Sequence, residues 1–433
     1  MQKRLILLTL CFLLIIPLSA QEATPESDYI VTQNFFYTYH HGSGNRYVQG
    51  SGTFPDVEVR DYAFNARPIW LVAGNQTWSG NTPAQLITVQ LENDTVASID
   101  PLNGVVDVEF GAVSSLQSLA LFVWRGQWTF DTPESNNLTN LTYLDFRLLA
   151  DVSSDGGLSI IDVRPDGIFG DSLDLNIQPD AKVVVSDDNR QAVYANATNQ
   201  RYVHGIMGDD IEGSSLVILR YEDDRLEIIE QIDLPGDAVF EGLSPMWADV
   251  NGDGIQDLIT TVSDSQSGSR IRAYLFNENG NTIAVDGQAI GRPGRWQHQL
   301  AWGAFGANGE MQLVEVLTPH IGGVVRFYEF TGTELSIVSQ IGGYTSHVIG
   351  SRNLDMAVAG DFDGDGQPEI VLPSQDRTRI AGIANTASGA TVMWELPLDG
   401  TLVSNLAAVN TPDGLVLAAG REDGTVRVWS PQS

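Results

Sequence analysis

The chain reads Asp249-Val-Asn-Gly-Asp-Gly-Ile-Gln-Asp-Leu-Ile-Thr-Thr-Val262 and, further on, Asp361-Phe-Asp-Gly-Asp-Gly-Gln-Pro-Glu-Ile-Val-Leu372. In both stretches, oxygen-bearing side chains occupy positions 1, 3, 5 and 9 of a loop that has glycine at position 6. This spacing is typical of a calcium loop, because a hard cation takes about six to eight oxygen ligands. Glycine at position 6 permits the sharp turn that such a loop requires.

The residues that follow each loop exclude an EF-hand. Position 12 is Thr260 in the first copy and Leu372 in the second, so both lack the bidentate glutamate that closes an EF-hand. Aliphatic and β-branched residues follow position 9 directly, which favours a strand over a helix. We therefore predict calcium loops between strands. The alternative is an ordinary Asp/Asn/Gly turn that satisfies its own backbone.

The first loop belongs to a longer repeat. The phrase Leu243-Ser-Pro-Met-Trp-Ala-Asp249 returns as Gln299-Leu-Ala-Trp-Gly-Ala304 and as Met356-Ala-Val-Ala-Gly-Asp361, and a further copy begins at Leu406. The copies are spaced by roughly 50 to 57 residues, near the upper end of the periods of propeller blades. Short apolar segments alternate with turns, and the chain has 43 glycines to make those turns. The pattern predicts an all-β fold and, within it, a β-propeller.

Seven blades are the expected number, and six or eight are possible. The last blade lacks a strand after Thr425–Trp429, which predicts that the N-terminal segment Tyr29–Tyr39 pairs with it and closes the ring. We divide the chain into a signal peptide at 1–20, an N-terminal segment with the closing strand at 21–54, and the propeller at 55–433.

The first residues have the layout of a secretory signal peptide. Lys3 and Arg4 precede an apolar stretch from Leu5 to Leu18, and the small residues Ser19-Ala20 follow. The single cysteine, Cys11, lies inside this segment, so the mature protein would contain none. We expect a secreted protein without disulfides, and no membrane insertion, because the apolar stretch is too short to span a bilayer.

The charge limits the possible partners. The chain has 55 acidic and 23 basic residues, a formal net charge of −32 at pH 7. Nucleic acid and anionic membrane surfaces are therefore poor partners. Solubility outside the cell is the simplest reason for such acidity.

Residues 248–262 and 360–372 resemble the FG-GAP or VCBS repeat family, whose blades carry a D-x-D-x-D-G loop between their first strands, as in integrin α-subunit heads. The stretch from Pro412 to Trp429 is also similar to the end of a WD-repeat blade. The resemblance implies a Ca²⁺ cofactor bound in each loop by five residues. In the first loop these are the side chains of Asp249, Asn251, Asp253 and Asp257 with the Ile255 carbonyl. In the second they are the side chains of Asp361, Asp363, Asp365 and Glu369 with the Gln367 carbonyl.

Two further loops share part of the pattern. Asp151-Val-Ser-Ser-Asp-Gly-Gly-Leu-Ser159 keeps the spacing but offers hydroxyl groups at two ligand positions, so it is a weaker candidate. The stretch Ala304-Phe-Gly-Ala-Asn-Gly-Glu-Met-Gln312 keeps the turn but lacks the acids, and we expect it to bind no metal.

The usual catalytic signatures are absent from the sequence. His298 and His347 precede repeat loops at related positions, which places them near one face of the ring in a framework role. His40 and His41 are adjacent and could bind a transition metal, although adjacent strand residues point to opposite faces. Most tryptophans should be blade core, and the loop-like ones are weak candidates for stacking on a sugar: Trp78, Trp124, Trp128 and Trp296.

These observations favour a secreted, calcium-binding β-propeller that acts as an extracellular binding or adhesion module, with calcium serving structure. Its expected ligand is an extracellular protein or polysaccharide, and we expect a monomer. The alternative is an extracellular polysaccharide lyase or glycoside hydrolase whose catalytic acids are among the many Asp and Glu residues. Fold alone does not decide between a binding protein and an enzyme.

Overall fold

The computed structural model describes residues 42–76, 84–93, 95–101, 104–107, 120–124, 127–131, 140–145, 148–164 and 167–432. The signal peptide at 1–20, the closing segment Tyr29–Tyr39, the pair His40-His41 and Trp78 lie outside these residues. Among the described residues, no helix has the length and apolar character that a membrane span requires.

The secondary structure of the described ranges consists of β-strands. Up to residue 233 these are β1 (Tyr47–Ser51), β2 (Val57–Ala63), β3 (Pro68–Gln76), β4 (Ala84–Leu91), β5 (Val96–Asp100), β6 (Gly104–Asp107), β7 (Ala120–Trp124), β8 (Gln127–Asp131), β9 (Asn140–Asp145), β10 (Leu148–Val152), β11 (Gly157–Arg164), β12 (Gly167–Asp174), β13 (Val184–Val185), β14 (Arg190–Thr198), β15 (Glu212–Glu222) and β16 (Arg225–Asp233). Beyond it they are β17 (Val239–Phe240), β18 (Met246–Ala248), β19 (Asp257–Asp264), β20 (Gly268–Phe276), β21 (Thr282–Asp286), β22 (Gln297–Gly303), β23 (Gln312–Leu317), β24 (Val324–Phe330), β25 (Leu335–Gly342), β26 (Val358–Asp361), β27 (Glu369–Pro373), β28 (Arg379–Thr386), β29 (Gly389–Pro397), β30 (Leu402–Thr411), β31 (Gly414–Arg421) and β32 (Thr425–Pro431).

Consecutive strands pair antiparallel into small sheets. Four strands each form the sheets β3–β6, β9–β12 and β22–β25, and β7 pairs with β8. The strands β13–β16 and β17–β21 are linked through β17, while β26–β29 gain β1 as a fifth strand. The last sheet has the order β2-β32-β31-β30. This succession of meanders confirms the predicted all-β fold.

The sheets pack face to face in a continuous series. Apolar clusters join β10–β11 to β14–β15, β14–β15 to β17–β20, β18–β21 to β22–β24, β22–β24 to β26–β28, β26–β29 to β30–β32, and β30–β32 back to β3–β5. Sheets from the two ends of the described chain are therefore neighbours, as a ring requires. The number of blades, for which we expect seven, stays a prediction.

Burial explains which strands are innermost. The repeat phrase forms β18, β22 and β26, and every residue of β22 is buried, because its two faces pack on neighbouring sheets. The fourth strand of a sheet is mostly half-buried or exposed, as in β16 and β25, because its outer edge faces solvent. The predicted core tryptophans Trp247, Trp302, Trp394 and Trp429 are buried.

The N-terminal part of the described chain crosses the inner strands of several sheets before it joins the last one. Trp247 donates its backbone N–H to the Ser43 carbonyl (2.8 Å), Ala359 donates to the Arg46 carbonyl (2.8 Å), and β1 runs parallel to β26. The strand β2 then pairs antiparallel with β32 from Val57↔Pro431 to Ala63↔Thr425.

The predicted pairing between the N-terminal part of the chain and the last blade is confirmed, and its location is corrected. The strand that makes it is Val57–Ala63, whereas the sequence favoured the aromatic segment Tyr29–Tyr39, which lies outside the described residues. The charged Asp61 explains why β2 fits there. It binds the guanidinium of Arg427 (2.7 Å) and that of Arg421 (3.1 Å).

Candidate metal site and the opposite face

The second loop brings three carboxylates together. Strand β26 ends at Asp361 and β27 begins at Glu369, so the loop lies between the first and second strands of its sheet, as predicted. Asp361, Asp363 and Asp365 each place a carboxylate oxygen within 4.8 Å of the other two. Among the described residues, this is the one group of three or more His, Cys, Asp or Glu ligands that converges in this way.

Glycine and backbone amides build this loop. Gly364 and Gly366 have φ of 81° and 89°, the left-handed region that favours glycine. Their N–H groups donate to Asp361 Oδ1 at 2.9 and 3.2 Å, and the N–H of Asp365 donates to Asp363 Oδ1 at 3.1 Å. These amide bonds fix the carboxylates through their Oδ1 atoms, and do not use the Oδ2 atoms.

Glu369 occupies position 9, at the end of the loop. Its side chain is buried, and its Oε2 accepts a hydrogen bond from the N–H of Phe362 (2.8 Å). Its Oε1 has no hydrogen-bond partner among the described residues. Burial and then the neighbouring Asp363 carboxylate raise the pKa of Glu369 to about 9. Two carboxyl groups that face each other in a buried place are stabilised by a proton or a cation between them.

The first loop forms the same turn, but its side-chain oxygens accept more hydrogen bonds from the protein. Gly254 at position 6 has φ of 86°. Asp249 accepts backbone N–H groups on both oxygens, from Gly252 (2.8 Å) and Gly254 (3.0 Å). The Asn251 amide donates to Asp253 Oδ2 (2.9 Å). Much of the oxygen set of this loop is therefore satisfied within the protein.

Position 9 shows the contrast most clearly. Asp257 is buried and accepts the N–H of Phe276 on Oδ1 (2.9 Å) and that of Val250 on Oδ2 (3.0 Å). Burial raises the pKa of Asp257 to about 6, and the two amides oppose that shift.

Metal binding by the first loop stays a prediction, as do the carbonyl ligands Ile255 and Gln367. The Gln367 side chain donates to the carbonyls of Phe305 and Asn385 (both 2.9 Å).

The two weaker loops form turns with hydrogen bonds between their own residues. In the loop at 151–159, Ser153 Oγ accepts the N–H of Gly157 (3.0 Å) and bonds to Asp155 Oδ1 (2.5 Å). Ser159 lies in β11 and bonds to Ser172 (2.8 Å), away from that turn. In the stretch at 304–312, the Asn308 side chain donates to Glu310 (2.8 Å), which replaces the missing acids.

The opposite face carries a cluster that the sequence indicated only in part. In a meander, first-to-second connections lie on one face, and second-to-third and sheet-to-sheet connections lie on the other. His204, His320 and His347 all belong to the second group, so they lie opposite the metal loops. Trp296, at the start of β22, packs against three imidazoles, at ring-centroid distances of 4.5 Å (His298), 6.1 Å (His320) and 5.3 Å (His347).

Hydrogen bonds fix the tautomers of two of these histidines. His347 Nε2 lies 2.6 Å from the Ser351 carbonyl, which can only accept, so Nε2 carries the proton. In the neutral ring, Nδ1 of His347 then accepts, and His320 Nε2 donates to it over 2.7 Å. Burial lowers the pKa of His320 to about 4 and that of His347 to about 3. The framework role expected for His298 and His347 agrees with this network, in which His298 Nδ1 bonds to Ser346 (2.8 Å).

His204 is oriented by a buried carboxylate. Its Nδ1 lies 2.6 Å from Glu241 Oε1, and Glu241 also accepts the hydroxyl of Ser263. Because a carboxylate accepts, Nδ1 of His204 carries the proton and the neutral ring presents its Nε2 as a base. The backbone carbonyl of Glu241 accepts the indole N–H of Trp296 (3.0 Å), which ties this pair to the cluster.

A small polar cavity lies beneath this face. Its walls include Arg46, Lys182, His298 and Asp355. The Arg46 guanidinium binds Asp355 Oδ1 (2.7 Å), and Lys182 Nζ lies 3.6 Å from Asp355 Oδ2. Burial lowers the pKa of Lys182 to about 8, against the opposing effect of Asp355.

Of the tryptophans proposed for sugar stacking, Trp296 is the one whose side chain the structure describes, and it is not an exposed platform. Trp296 is 2% exposed, so the expectation of a loop-like ligand residue was wrong. Trp124 ends β7 and Trp128 lies in β8, so these two belong to strands.

Comparison with known proteins supports the fold. No protein-family model matches this chain, and no curated protein matches it. Among solved structures, the chain is similar to the quinohemoprotein alcohol dehydrogenase of Comamonas testosteroni, with 10% identity, coverage of 94% of this chain and 83% of that chain, and a TM-score of 0.53. It also matches the WD40 domain of Toxoplasma gondii coronin, with 8% identity, coverage of 89% and 90%, and a TM-score of 0.43.

The quinohemoprotein alcohol dehydrogenase structure is a β-propeller, and its likeness over 94% of this chain confirms the predicted propeller architecture. At identities this low the likeness shows the fold alone. The FG-GAP or VCBS resemblance is an interpretation of the two loops, since no model of that family matches.

Proposed function

We propose that this protein is a secreted, calcium-binding β-propeller that acts as an extracellular binding module, with its metal in the loop at 361–369. One observation carries the metal assignment. Three aspartates converge within 4.8 Å, and the buried Glu369 beside them has an oxygen without a partner. Three converging carboxylates, with the carboxyl group of Glu369 next to Asp363, suit a hard divalent cation, whose preferred ligands are oxygens.

The metal in this proposal serves stability. The loop joins β26 to β27, and Phe362, its second residue, is buried against Phe54 (5.4 Å between ring centroids). A cation that neutralises the carboxylates would hold these strands together. By mass action, a site at ten times its dissociation constant contributes about 1.4 kcal/mol to the free energy of unfolding.

Calorimetric titration of metal-free residues 21–433 tests the metal assignment. Calcium should bind with a dissociation constant of about 10⁻⁴ to 10⁻³ M, the range of extracellular modules, and more tightly than magnesium. The Asp365→Ala variant should lose one site and its calcium-dependent rise in melting temperature, with little change in chelator. The matched control is Asn308→Ala, in the turn without acids. Equal losses in calcium and in chelator would identify the loop as an ordinary turn.

The ligand of the module, an extracellular protein or polysaccharide, is proposed to bind the face that carries His204 and His320. That face is separate from the metal loops, and exposed aliphatic side chains surround it: Val203, Ile321 and Ile349. Glycan and protein arrays probed with the wild-type chain and with Ile349→Asp test this assignment. Equal binding by both would place the ligand elsewhere.

One observation favours the enzyme alternative, a polysaccharide lyase or hydrolase. The Glu241 carboxylate holds His204 through Nδ1 and leaves Nε2 as the acceptor of the half-buried ring, the tautomer that a general base requires. Incubation with uronate-rich polysaccharides should then release unsaturated products, and His204→Gln should abolish the release. No product from any such polymer would remove this alternative.

A further inference from the structure

The second metal loop and the strand that closes the ring meet in the same place. We infer that cation binding at Asp361, Asp363 and Asp365 controls the docking of the N-terminal segment, residues 46–63, and so controls closure of the ring. This inference rests on the metal site proposed above, and adds a regulatory role to it.

The backbone of the loop holds the segment directly. Ser51 of β1 is the pairing partner of Asp361 in β26. The N–H of Gly52 donates to the Asp361 carbonyl (2.8 Å), and the N–H of Phe54 donates to the Phe362 carbonyl (2.9 Å). Asp361 therefore offers its side chain to the cation site and its carbonyl to the segment.

The two parts also interlock sterically. A Cβ added to Gly364 would lie 2.6 Å from the Gly52 carbonyl oxygen, and one added to Gly52 would lie 2.2 Å from the Phe362 carbonyl oxygen. No side chain other than hydrogen fits at either position without a backbone shift. A displacement of the loop on loss of the cation would therefore act on the segment at once.

Beyond Gly52, the segment leads into the closing strand. The Phe54 ring packs on Phe362 and on Trp394, with centroid distances of 5.4 and 4.9 Å. Val57, three residues later, begins β2, whose pairing with β32 completes the last sheet. Docking at 52–54 thus fixes the start of the strand that closes the ring.

The first loop provides an internal control. Its described contacts outside the strands β17–β21 run to the turn between β13 and β14: Gln256 accepts the N–H of Asp187 on its side chain (2.7 Å) and the Arg190 guanidinium on its carbonyl (2.9 Å). The chain that precedes the segment contacts that sheet through Ser43, which accepts the N–H of Trp247, before the loop begins. A cation in the first loop should therefore leave closure unchanged.

The direction of the coupling follows from charge. Without a cation, three carboxylates within 4.8 Å repel one another, and a backbone shift of the loop that separates them displaces the carbonyls to which Gly52 and Phe54 donate. Coupling between two binding events is reciprocal, so a docked segment must also raise the affinity of the loop for calcium.

Hydrogen exchange measured with and without calcium tests the coupling. In the wild-type chain, calcium should slow amide exchange at 52–63 by about tenfold, which corresponds to a coupling within the usual range. The same protection should appear in Asp253→Asn, altered in the first loop, and disappear in Asp363→Asn. Calorimetry on the same samples separates the possible failures. Absence of a site at 361–369 would sink the proposed metal function itself, whereas normal binding with unchanged exchange at 52–63 would overturn this inference alone.

Reciprocity gives a second test on residues that hold no metal. Gly52→Ala should weaken calcium binding by the loop about tenfold, because its Cβ meets the Phe362 carbonyl. If that variant does not fold, Phe54→Leu, which keeps the backbone and reduces the ring contact, should weaken binding in the same direction. Wild-type affinity in a folded variant whose exchange at 57–63 is fast would show that the loop and the segment are independent.

Discussion

Asn45 and Trp302 hold each other by two hydrogen bonds: the Asn45 amide donates to the Trp302 carbonyl (2.9 Å), and the Trp302 N–H donates to Asn45 Oδ1 (3.1 Å). The side chain of Asn45 thereby imitates a strand partner for β22. Asn405 makes the same pair of bonds to the N–H and carbonyl of Leu71 (both 2.8 Å). One device thus ties together parts of the ring that are far apart in sequence.

Replacing either asparagine should therefore destabilise the protein. Asn45→Ala and Asn405→Ala leave backbone groups without partners, and each should lower the free energy of unfolding by about 1 to 3 kcal/mol. Asn405→Ala should have the larger effect, because Asn405 is fully buried. Denaturant unfolding measures both. The exposed Asn308→Ala should stay within about 0.5 kcal/mol of wild type, and an equal loss there would show that the two-point bonds have no special role.

Position 9 of the two metal loops should respond in opposite ways to amide substitution. Asp257→Asn replaces one of two acceptors with a donor that faces a backbone N–H, so we expect a loss of about 1 to 3 kcal/mol with or without calcium. Glu369→Gln should be tolerated in chelator, since its amide can donate to Asp363. It should reduce the stabilisation by calcium, because a charged ligand is lost.

Thermal unfolding in calcium and in chelator distinguishes these outcomes. If Asp257→Asn loses its stabilisation by calcium and Glu369→Gln keeps it, the metal site lies in the first loop and not in the second.

The buried histidines predict a loss of stability in mild acid. Burial lowers the pKa of His347 to about 3, below the value of about 6.5 in an unfolded chain. Its contribution is therefore complete above pH 6.5 and is lost as the pH falls below that value, since the unfolded state takes up the proton first. Between pH 6.5 and 5, this one group should cost about 1 to 2 kcal/mol.

Unfolding free energies measured across this pH range check the prediction. His347→Gln should flatten the acid side of the curve relative to wild type, whatever its stability at pH 8. An unchanged slope would mean that His347 titrates normally in the folded protein.

Gly382 is required by the tryptophan that packs on it. It pairs with Trp394 across β28 and β29, and a Cβ at Gly382 would lie 2.2 Å from the indole ring. Gly382→Ala should displace Trp394 and lower stability by about 1 to 3 kcal/mol. Gly342→Ala is the matched control, since its Cβ would have no neighbour nearer than 3.9 Å. Equal melting temperatures for the two variants would contradict the packing argument.

The sequence predicted those features of the fold that repeat locally. The phrase around Trp247 and Trp302 marked inner strands, and the Asp-rich loops lay between first and second strands. The sequence did not predict that the two loops differ in their hydrogen bonds at position 9, because Asp257 and Glu369 both place a carboxyl group there. The backbone N–H of Phe276, in the next strand, donates to Asp257, whereas Oε1 of Glu369 accepts no such hydrogen bond.

The sequence also failed where distant segments meet. Val57–Ala63 contains the charged Arg60 and Asp61, and the partners of Asp61, Arg421 and Arg427, lie more than 300 residues later in the chain. The cluster around Trp296 draws His204, His320 and His347 from separate loops. Among the six histidines of the chain, no local spacing signals that these meet.

The pairing of Val57 with Pro431 also has a consequence for folding kinetics. Contacts of such large sequence separation are slow to form, because the intervening chain must first be organised. Ribosomal synthesis delivers β2 long before β32 exists, so the early strand must wait without its partner while the other sheets assemble. Until β2 pairs with it, the edge of β32 and the apolar side chains beside it are open to other chains. We therefore expect ring closure to be the slowest step of refolding and the step at which aggregation competes.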